Sequence, residues 1–585
     1  MLLLLNIFLG LSILSRSCHA QSPSRKPNFV FIITDDQDVH LNSLDYQPYL
    51  KKHFADEGTY FSRHYCTVSV CCPSRVSLLT GRAAHNTNVT AIQAPYGGYT
   101  KFISGGWNDK YLPVFLQEGG YNTYYTGKLM NDLTILTYNN PYTNGWNGSD
   151  FLLDPGTYIY YNSTTQRNKS PPRTNPGIYS TDIVASNAVG FLDEALLAGD
   201  NRPFFLGVAP VGPHSETLSP FVTGKPGPIS FDPPVPAKRH KHLFPDIKVP
   251  RKPNFNPDVP SSASYIKSLQ KLNSTQIEYN DNWYRRRIQA LQAVDELVDS
   301  IMDWMHAHPD ILNNTYIIYT SDNGYHIGQH RLAPGKSCGI EEDINVPFFI
   351  RGPGVEKGKN YDGPTTHTDI LPTIFELAGL PLQDEFDGEP MPITKNLSAL
   401  EKSEHVNVEF WGFNVLEGDY PGNGTGLYAT DRIQGGYVGL NNTYKTLRII
   451  GVGYNLMYTV WCTNEHELYD MGQSDPYQMN NLYNTTGDVG EWTVQTLEAR
   501  LDTLLLTLKT CKGKVCTRPW DVIHPEGNVR NLKDAMKAEY NIFYMEQQPK
   551  VSFGACALGY LTQYEGPMEP SIYHSDAQYG RGVNY

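Results

Sequence analysis

Two pairs of oxygen-bearing side chains stand at the ends of two apolar runs. "NFVFIITDD" closes on Asp35 and Asp36, and "NTYIIYTSDN" closes on Asp322 and Asn323. All four offer only oxygen, which suits a hard cation such as Ca2+ or Mg2+; Zn2+ would be expected to recruit His or Cys. If the carboxylates converge, their repulsion has to be relieved by paired cations or by a metal. Two further runs end in groups of the opposite character, "GYNTYYTGK" in Lys128 and "PFFLGVAPVGPH" in His214. A different chemistry is offered by "SVCCPSRVSLLTGR", residues 69–82. Adjacent cysteines rarely bridge each other, because their side-chain vectors point apart. Pro73 fits the first turn of a helix that Gly81 can end. Cys71 then lies at or just before the helix N-terminus, where free N–H groups and the helix dipole favour an anion. Arg75 is about one turn further in and can point back at the same place. A bare thiolate there would be a reactive nucleophile. One strand-end Asp is most often a cap or turn residue; three carboxylates, an amide, a Lys and a His at four strand ends are harder to read that way.

These positions require a particular scaffold. Near-continuous apolar runs predict strands buried on both faces, hence a mostly parallel α/β sheet. In such sheets ligands bind beyond the carboxyl ends of the strands, which is where the polar groups stand. The clearest helix is "NDNWYRRRIQALQAVDELVDSIMDWMHAH", with Ile288, Leu291, Val294, Leu297, Val298, Ile301 and Met305 at helical spacing. It leads into the Tyr316–Thr320 strand as an α/β unit should. Residues 219–262 are rich in Pro and basic side chains and fit neither a regular helix nor a central strand. Following His214 directly, they are expected to form a lid over the strand ends. Lys238, Arg239, His240 and Lys241 in it could favour an extra anionic group on the substrate. A polar stretch near Asn396–His405 marks a boundary: residues 21–400 form the larger domain and 401–585 a smaller α+β domain.

The chain has 585 residues, too many for a single core. Its 40% hydrophobic and 18% charged content is that of a folded protein, and a net charge of -13 argues against a general nucleic-acid binder. It does not exclude a small anionic substrate, since local cations can override the global sign. The N-terminus, "MLLLLNIFLGLSILSRSCHAQ", has the form of a signal peptide over residues 1–20; the apolar run is short for a membrane anchor. No second run is long enough to span a bilayer, so no stable membrane insertion is expected. Asn-x-Ser/Thr occurs at Asn88, Asn147, Asn162, Asn168, Asn273, Asn313, Asn396, Asn423, Asn441 and Asn484. That density fits an N-glycosylated protein that is secreted, extracellular or in the cell wall. Cysteines tend to pair in that compartment. Cys511 and Cys516 could close a small loop, and Cys462 with Cys556 is a plausible second bridge, although connectivity does not follow from sequence.

At this point the residues carry a resemblance. "CCPSR" followed by "LLTGR" resembles the sulfatase signature Cys-x-Pro-Ser-Arg, then Thr-Gly-Arg. "NFVFIITDDQD", "GKLMN", "APVGPHS", "YTSDNGYHIGQH", "INVPFFIRGPG" and "ELYDMGQSDPYQMNNL" also look like sulfatase segments, so the resemblance covers most of the chain. The chain is most similar to the arylsulfatase and glucosamine-6-sulfatase branch. The resemblance implies an alkaline-phosphatase-like α/β fold, a large mixed, mostly parallel sheet flanked by helices, with a smaller C-terminal domain. It implies that Cys71 is oxidised to formylglycine by a formylglycine-generating enzyme during maturation, Cys72 being the variable position. It implies one Ca2+ held by Asp35, Asp36, Asp322, Asn323 and residue 71. Arg75, Lys128 and Lys336 would bind sulfate oxygens, and His214, with Lys336, would help protonate the leaving oxygen. The hydrated aldehyde would attack sulfur with one hydroxyl and expel sulfate by collapse of the other.

Two positions depart from the family pattern. Many sulfatases carry a His two residues after the Lys of the "GK" segment; here Met130 stands there, followed by Asn131. The base for sulfate release is thereby left open, with His326 and His85 as candidates. Where the family often has an aromatic residue four after the second Lys, this chain has Ile340, then Glu341 and Glu342, which would affect substrate fit. Three functions compete: a secreted, Ca2+-dependent sulfatase of arylsulfatase type, with N-acetylglucosamine-6-sulfatase or another sugar sulfatase beside it; a phosphate or phosphonate ester hydrolase of the same superfamily; and a non-catalytic glycan-binding relative. The intact Cys71, Arg75 and oxygen ligands argue against the last.

Overall fold

The seven residues Asn28–Thr34 (β1) are buried at every position and carry neighbours on both sides, as their continuous apolar character predicts. The structure, a computed structural model, describes residues 25–575 except 219–229, 261–263, 395–402, 419–431, 434–435, 440 and 473. The expected signal peptide, the two ends of the 219–262 segment, and Asn396 and Asn423 lie outside the described residues.

The main sheet adds Thr59–Phe61 (β2), Asn122–Gly127 (β3), Gly148–Leu152 (β4), Thr164–Arg167 (β5), Arg173–Thr174 (β6), Phe204–Ala209 (β7), Thr315–Ser321 (β8), Phe348–Arg351 (β9) and Lys359–Tyr361 (β10). Their order is β10-β2-β9-β8-β1-β7-β3-β4-β5-β6. The five central strands, β8-β1-β7-β3-β4, are mutually parallel; antiparallel pairs join at β9 on one side and β5 on the other. Register carries the chemistry. Thr34 pairs with Ser321, so Asp35 and Asp322 emerge side by side, and Gly127 pairs with Ala209, which sets Lys128 beside the chain leading to His214.

Helices cover both faces. Cys71–Thr80 (α1) and Ile370–Ala378 (α2) pack under one face, with Val76, Leu79, Leu371 and Ile374 against Phe31, Ile33 and Ile318. Ser274–Ala307 (α3) lies on the other with Ile288, Leu291, Val294, Val298 and Ile301 against Val30, Ile32 and Ile317. Each such fully buried side chain contributes roughly 1.5–3 kcal/mol relative to exposure. Helix α3 starts earlier than its apolar stripe indicates. Asn273 caps it, accepting from the Gln276 N–H while the Gln276 side chain returns to the Asn273 N–H.

The smaller C-terminal unit is an antiparallel sheet, His405–Phe410, Tyr444–Gly451, Tyr454–Trp461 and His466–Asp470, in that spatial order. Val494–Leu508 (α4) packs on one face through Leu497, Leu501, Leu504 and Leu505. The other face shares a core with the larger unit, where Val406, Val408 and Met457 meet Tyr65, Val68 and Ile344. Disulfides join Cys462 to Cys556 and Cys511 to Cys516. The described part of the 219–262 segment begins as a hairpin, Ser230–Asp232 antiparallel to Glu216–Leu218. Beyond it three basic residues are tied to the domain body by carboxylates. Arg239 pairs with Asp182 and Glu296, His240 with Glu296, and Arg251 with Asp281. This corrects the expectation that Arg239 and His240 serve an extra anionic group of a substrate, because both side chains are already engaged by carboxylates of the domain body.

Candidate active site

The strand ends bring the acidic pairs and the cations to one buried place. Three carboxylates face three cations one to one. Lys128 Nζ lies 2.6 Å from Asp35 Oδ2, Lys336 Nζ 2.5 Å from Asp36 Oδ1, and Arg75 Nε 2.7 Å from Asp322 Oδ2. Arg75 also donates to the Lys128 carbonyl at 2.6 Å, which ties helix α1 to the end of β3. All six side chains are buried. Burial would raise the Asp35 pKa, but Lys128, His214 and Arg75 outweigh it and hold the carboxyl at about 2. Asp36 is likewise lowered: burial opposes, Lys336 and His214 prevail. Lys128 and Lys336 are held fully charged, since Asp35 and Asp36 more than offset their desolvation.

Cys71 is the first residue of α1, and Gly81 ends that helix in the left-handed conformation, as the sequence predicts. Its Sγ is 3.4 Å from Asp35 Oδ1, 3.9 Å from Asp36 Oδ1 and 3.4 Å from Lys336 Nζ. Burial, then Asp35, pushes the thiol pKa well above its ordinary value, so the unmodified side chain stays a thiol and is no thiolate nucleophile. Cys72 points the other way, into the core beside Val76, and burial pushes its thiol up to about 12. The two neighbours are thus unlike.

His214 completes the cluster. Its Nδ1–H donates to the Ser215 carbonyl at 2.8 Å, which leaves Nε2 facing Asp36 Oδ2 at 3.5 Å. Ligand atoms of Asp35, Asp36, Cys71 and His214 lie within 4.8 Å of one another. The donors fit a hard cation. Two buried carboxylates and the amide of Asn323 converge, with Asp322 adjoining, and the Asn323 Oδ1 is buried without a hydrogen-bond partner while its Nδ2 donates to Asp36 at 2.8 Å. A buried carbonyl oxygen left unpartnered is costly unless something accepts its lone pairs. Arg75 Nη2 is likewise buried with no hydrogen-bond partner among the described residues, its nearest counter-charge being Asp35 Oδ2 at 3.7 Å.

A cavity of about 140 Å3 opens onto Cys71, His214 and Lys336. Val70, Ile92, Tyr158 and Phe231 supply apolar walls, and Asn131, Asp132, Asp154 and Glu417 supply polar ones. Phe231 comes from the hairpin that follows His214. A larger cleft of about 730 Å3 lies between residues 363–389 and the C-terminal unit and contains none of these groups.

The two histidines weighed for the departure at Met130 stand elsewhere. His85 is held by Glu409 at 2.9 Å and by the Cys511 carbonyl at 2.8 Å; His326 is held by Asp343 at 2.7 Å. Neither lines the cavity. Met130 is packed in the core, and it is Asn131 that faces the cavity. Ile340 is core as well, Glu341 is bound by Arg448 and Glu342 by Asn254, so none of the three shapes substrate fit.

Three residues were missed by sequence reasoning. Tyr158, on the chain after β4, stacks on His214. Glu417, from beyond the expected domain boundary, reaches 3.5 Å from Lys336 and accepts from the Tyr325 hydroxyl at 2.8 Å. Arg287, the last of three consecutive arginines on α3, donates to the carbonyls of Asp36 and Pro213 and lies 3.8 Å over the Tyr325 ring. Arg287 alone of the three falls three after Tyr284 and four before Leu291, on the buried stripe, and that spacing was a usable signal. Nothing marked Tyr158 or Glu417.

Comparison with known proteins agrees with this geometry. A family model described as Sulfatase matches residues 27–380. The chain is 49% identical to "Sulfatase ppz1" of Metarhizium majus over 92% of its length and 97% of the relative's. It is 36% identical to an arylsulfatase of Volvox carteri over 91% of its length and 82% of the relative's. Among solved structures, BT4656 in complex with its substrate D-glucosamine-2-N,6-O-disulfate superposes with a TM-score of 0.58 at 20% identity, covering 78% of this chain and 94% of that one. At that identity the likeness speaks to the fold.

Proposed function

The chain belongs to the sulfatase family and is a sulfuric ester hydrolase, and from that premise we propose a secreted, Ca2+-dependent enzyme that cleaves aryl-type sulfate esters by way of a formylglycine at position 71. The observation that carries this reading is the setting of Cys71: a neutral thiol at a helix start, among two carboxylates and a Lys, with Asn323 bonded to one of those carboxylates and its Oδ1 lacking a hydrogen-bond partner among the described residues. Cys71 is 2% exposed, so an enzyme that oxidises it has to act before this fold closes.

Asp35, Asp36, Asp322 and Asn323 would hold the cation, which supplies a fixed positive charge beside the nucleophile and the sulfuryl oxygens. An aldehyde at residue 71, once hydrated, would supply one hydroxyl as the nucleophile towards sulfur and a second through which sulfate would be released. Arg75, Lys128 and Lys336 bind the sulfuryl oxygens and stabilise the charge spread over them. Lys128 and Lys336 are fully charged for that task. His214, with Nδ1–H fixed on Ser215, presents Nε2 to deliver a proton to the leaving oxygen, and Lys336 assists. The departing group lies against Val70, Ile92, Tyr158 and Phe231, and these apolar walls favour an aryl alcohol over a polyhydroxylated sugar.

Export is supported by the sequons: the eight asparagines among the described residues are all exposed. No described helix is long and apolar enough to cross a membrane. The test pairs two measurements on protein secreted from a host that makes formylglycine. Mass spectrometry of the peptide containing residue 71 should show sulfur and two hydrogens replaced by one oxygen, and 4-nitrophenyl sulfate should be hydrolysed with loss of rate on chelation. An intact thiol in active protein would refute the mechanism. Preference for a phosphate or phosphonate ester of the same phenol would move the reading to that reaction.

A further inference from the structure

Tyr158 is buried and touches both His214, assigned to the leaving oxygen, and Lys128, assigned to the sulfuryl oxygens. Its ring stacks on His214 with centroids 4.3 Å apart and planes 25° apart, and Lys128 Nζ lies 4.9 Å from the same ring centroid. Its hydroxyl accepts from Asn131 Nδ2 at 2.8 Å. Asn131 is the residue after Met130, at the place where this chain departs from the family pattern. We propose that Tyr158, anchored by Asn131, is a positioning residue that fixes the plane of His214 for proton delivery to the leaving oxygen and keeps the Lys128 ammonium over its ring face. The inference rests on the sulfatase reading above and on the role of His214 within it.

The geometry leaves His214 two rotations to fix. The Nδ1–H bond to the Ser215 carbonyl fixes the ring's turn within its own plane. It does not stop the imidazole tilting, and the parallel ring of Tyr158 does. An offset or parallel ring pair adds a modest but real preference beyond burial. The same ring presents its negative face to Lys128, a cation–π contact in a desolvated place. Neither contact requires the hydroxyl, which instead holds the loop: Asn131 Nδ2 ties residue 158 to the end of the β3 segment. The ring therefore aligns, and the hydroxyl anchors.

Proton delivery matters more as the leaving alcohol becomes less acidic, because a nitrophenolate departs unaided and an unsubstituted phenol does not. The experiment is the dependence of kcat on leaving-group acidity across a series from 4-nitrophenyl to phenyl sulfate, for the wild type, Y158F, Y158L and H214A. For Y158L, kcat on phenyl sulfate should fall about tenfold and on 4-nitrophenyl sulfate much less, a steeper dependence in the direction of H214A. Y158F keeps the ring and should retain the wild-type slope. Thermal unfolding of each variant separates this from loss of fold, since a folding defect lowers all substrates alike. A uniform loss in Y158L, or a Y158F slope as steep as that of Y158L, overturns the inference while leaving the sulfatase reading intact. A wild type with residue 71 oxidised that cleaves none of the series overturns both.

Discussion

Replacing Glu409 by Gln should unclasp the two units of the chain without touching the chemistry. Glu409 lies on the first strand of the C-terminal sheet and is 1% exposed. Its Oε1 accepts from the backbone N–H and Nδ1 of His85, in the larger unit, at 2.9 Å each, and its Oε2 accepts from Lys445 at 3.1 Å. Lys445 in turn lies 3.7 Å over the Trp411 ring. Burial alone would raise the Glu409 pKa, yet His85 and Lys445 bring it from 4.5 to about 2. At about 1.4 kcal/mol per pKa unit, that drop corresponds to about 3 kcal/mol of stability at neutral pH. The lowered carboxyl contributes fully above pH 4.5 and loses its contribution as pH falls toward 2. His85 has the opposite sign: its pKa is raised, burial opposing and Glu409 prevailing, so its share is full below 6.5 and lost as pH rises through the raised value. Both describe one interaction and are not added. E409Q keeps the size but leaves His85 short of a counter-charge and Lys445 with only Glu565, 3.6 Å away, a loss at the lower end of the 3–5 kcal/mol order of a broken buried pair. Urea unfolding at pH 6 should place E409Q about 3 kcal/mol below the wild type, and the gap should shrink by pH 3. Equal midpoints at pH 6, or a gap that does not narrow in acid, would refute the argument.

N323A removes the unpartnered amide oxygen and should weaken Ca2+ binding roughly 10–100-fold by calorimetry, the scale seen when even outer groups of a metal site are lost; an unchanged affinity would remove Asn323 from the ligand set. C462S/C556S opens a loop of 94 residues and should cost about 4–5 kcal/mol in urea unfolding, against about 2 kcal/mol for C511S/C516S, whose loop spans 5; similar losses in both would contradict the chain-entropy account. A divalent cation held by Asp35 and Asp36 would compete with Lys128 and Lys336 for their oxygens and would free those ammonium groups for an anion; calorimetric binding of inorganic sulfate should therefore be several-fold tighter with Ca2+ than with chelator, and equal affinities would count against it.

The acidic pairs, Lys128 and His214 were legible because a parallel sheet converts sequence position into spatial position: the chain leaving each strand lands on one edge, and register does the rest. Cys71 and Arg75 were legible for a related reason, since four residues along a helix return a side chain to the same face. Tyr158, Glu417 and the pairing of Arg239 with Asp182 and Glu296 were not, because irregular chain has no period from which a direction can be computed. Glu417 comes from beyond the polar stretch that looked like a boundary, and a shared core between the two units is invisible to composition.

The pairing of charges was also beyond the sequence, and it explains why so polar a site can be buried at all. An isolated carboxylate or ammonium in such a place would cost several kcal/mol. Here Asp35, Asp36 and Asp322 each meet a different cation, and Cys71, the group at their centre, is held neutral by the burial and by the acid beside it. The fold therefore closes over the site with its charges offset. Substituting any one of the six then disturbs two elements at once: losing Arg75 would strand Asp322 at the end of β8 and release the Lys128 carbonyl at the end of β3. Activity loss in such a variant is consequently not evidence of a direct catalytic role, whereas Asn323 Oδ1, which has no hydrogen-bond partner among the described residues, is the atom whose purpose has to be sought in a ligand.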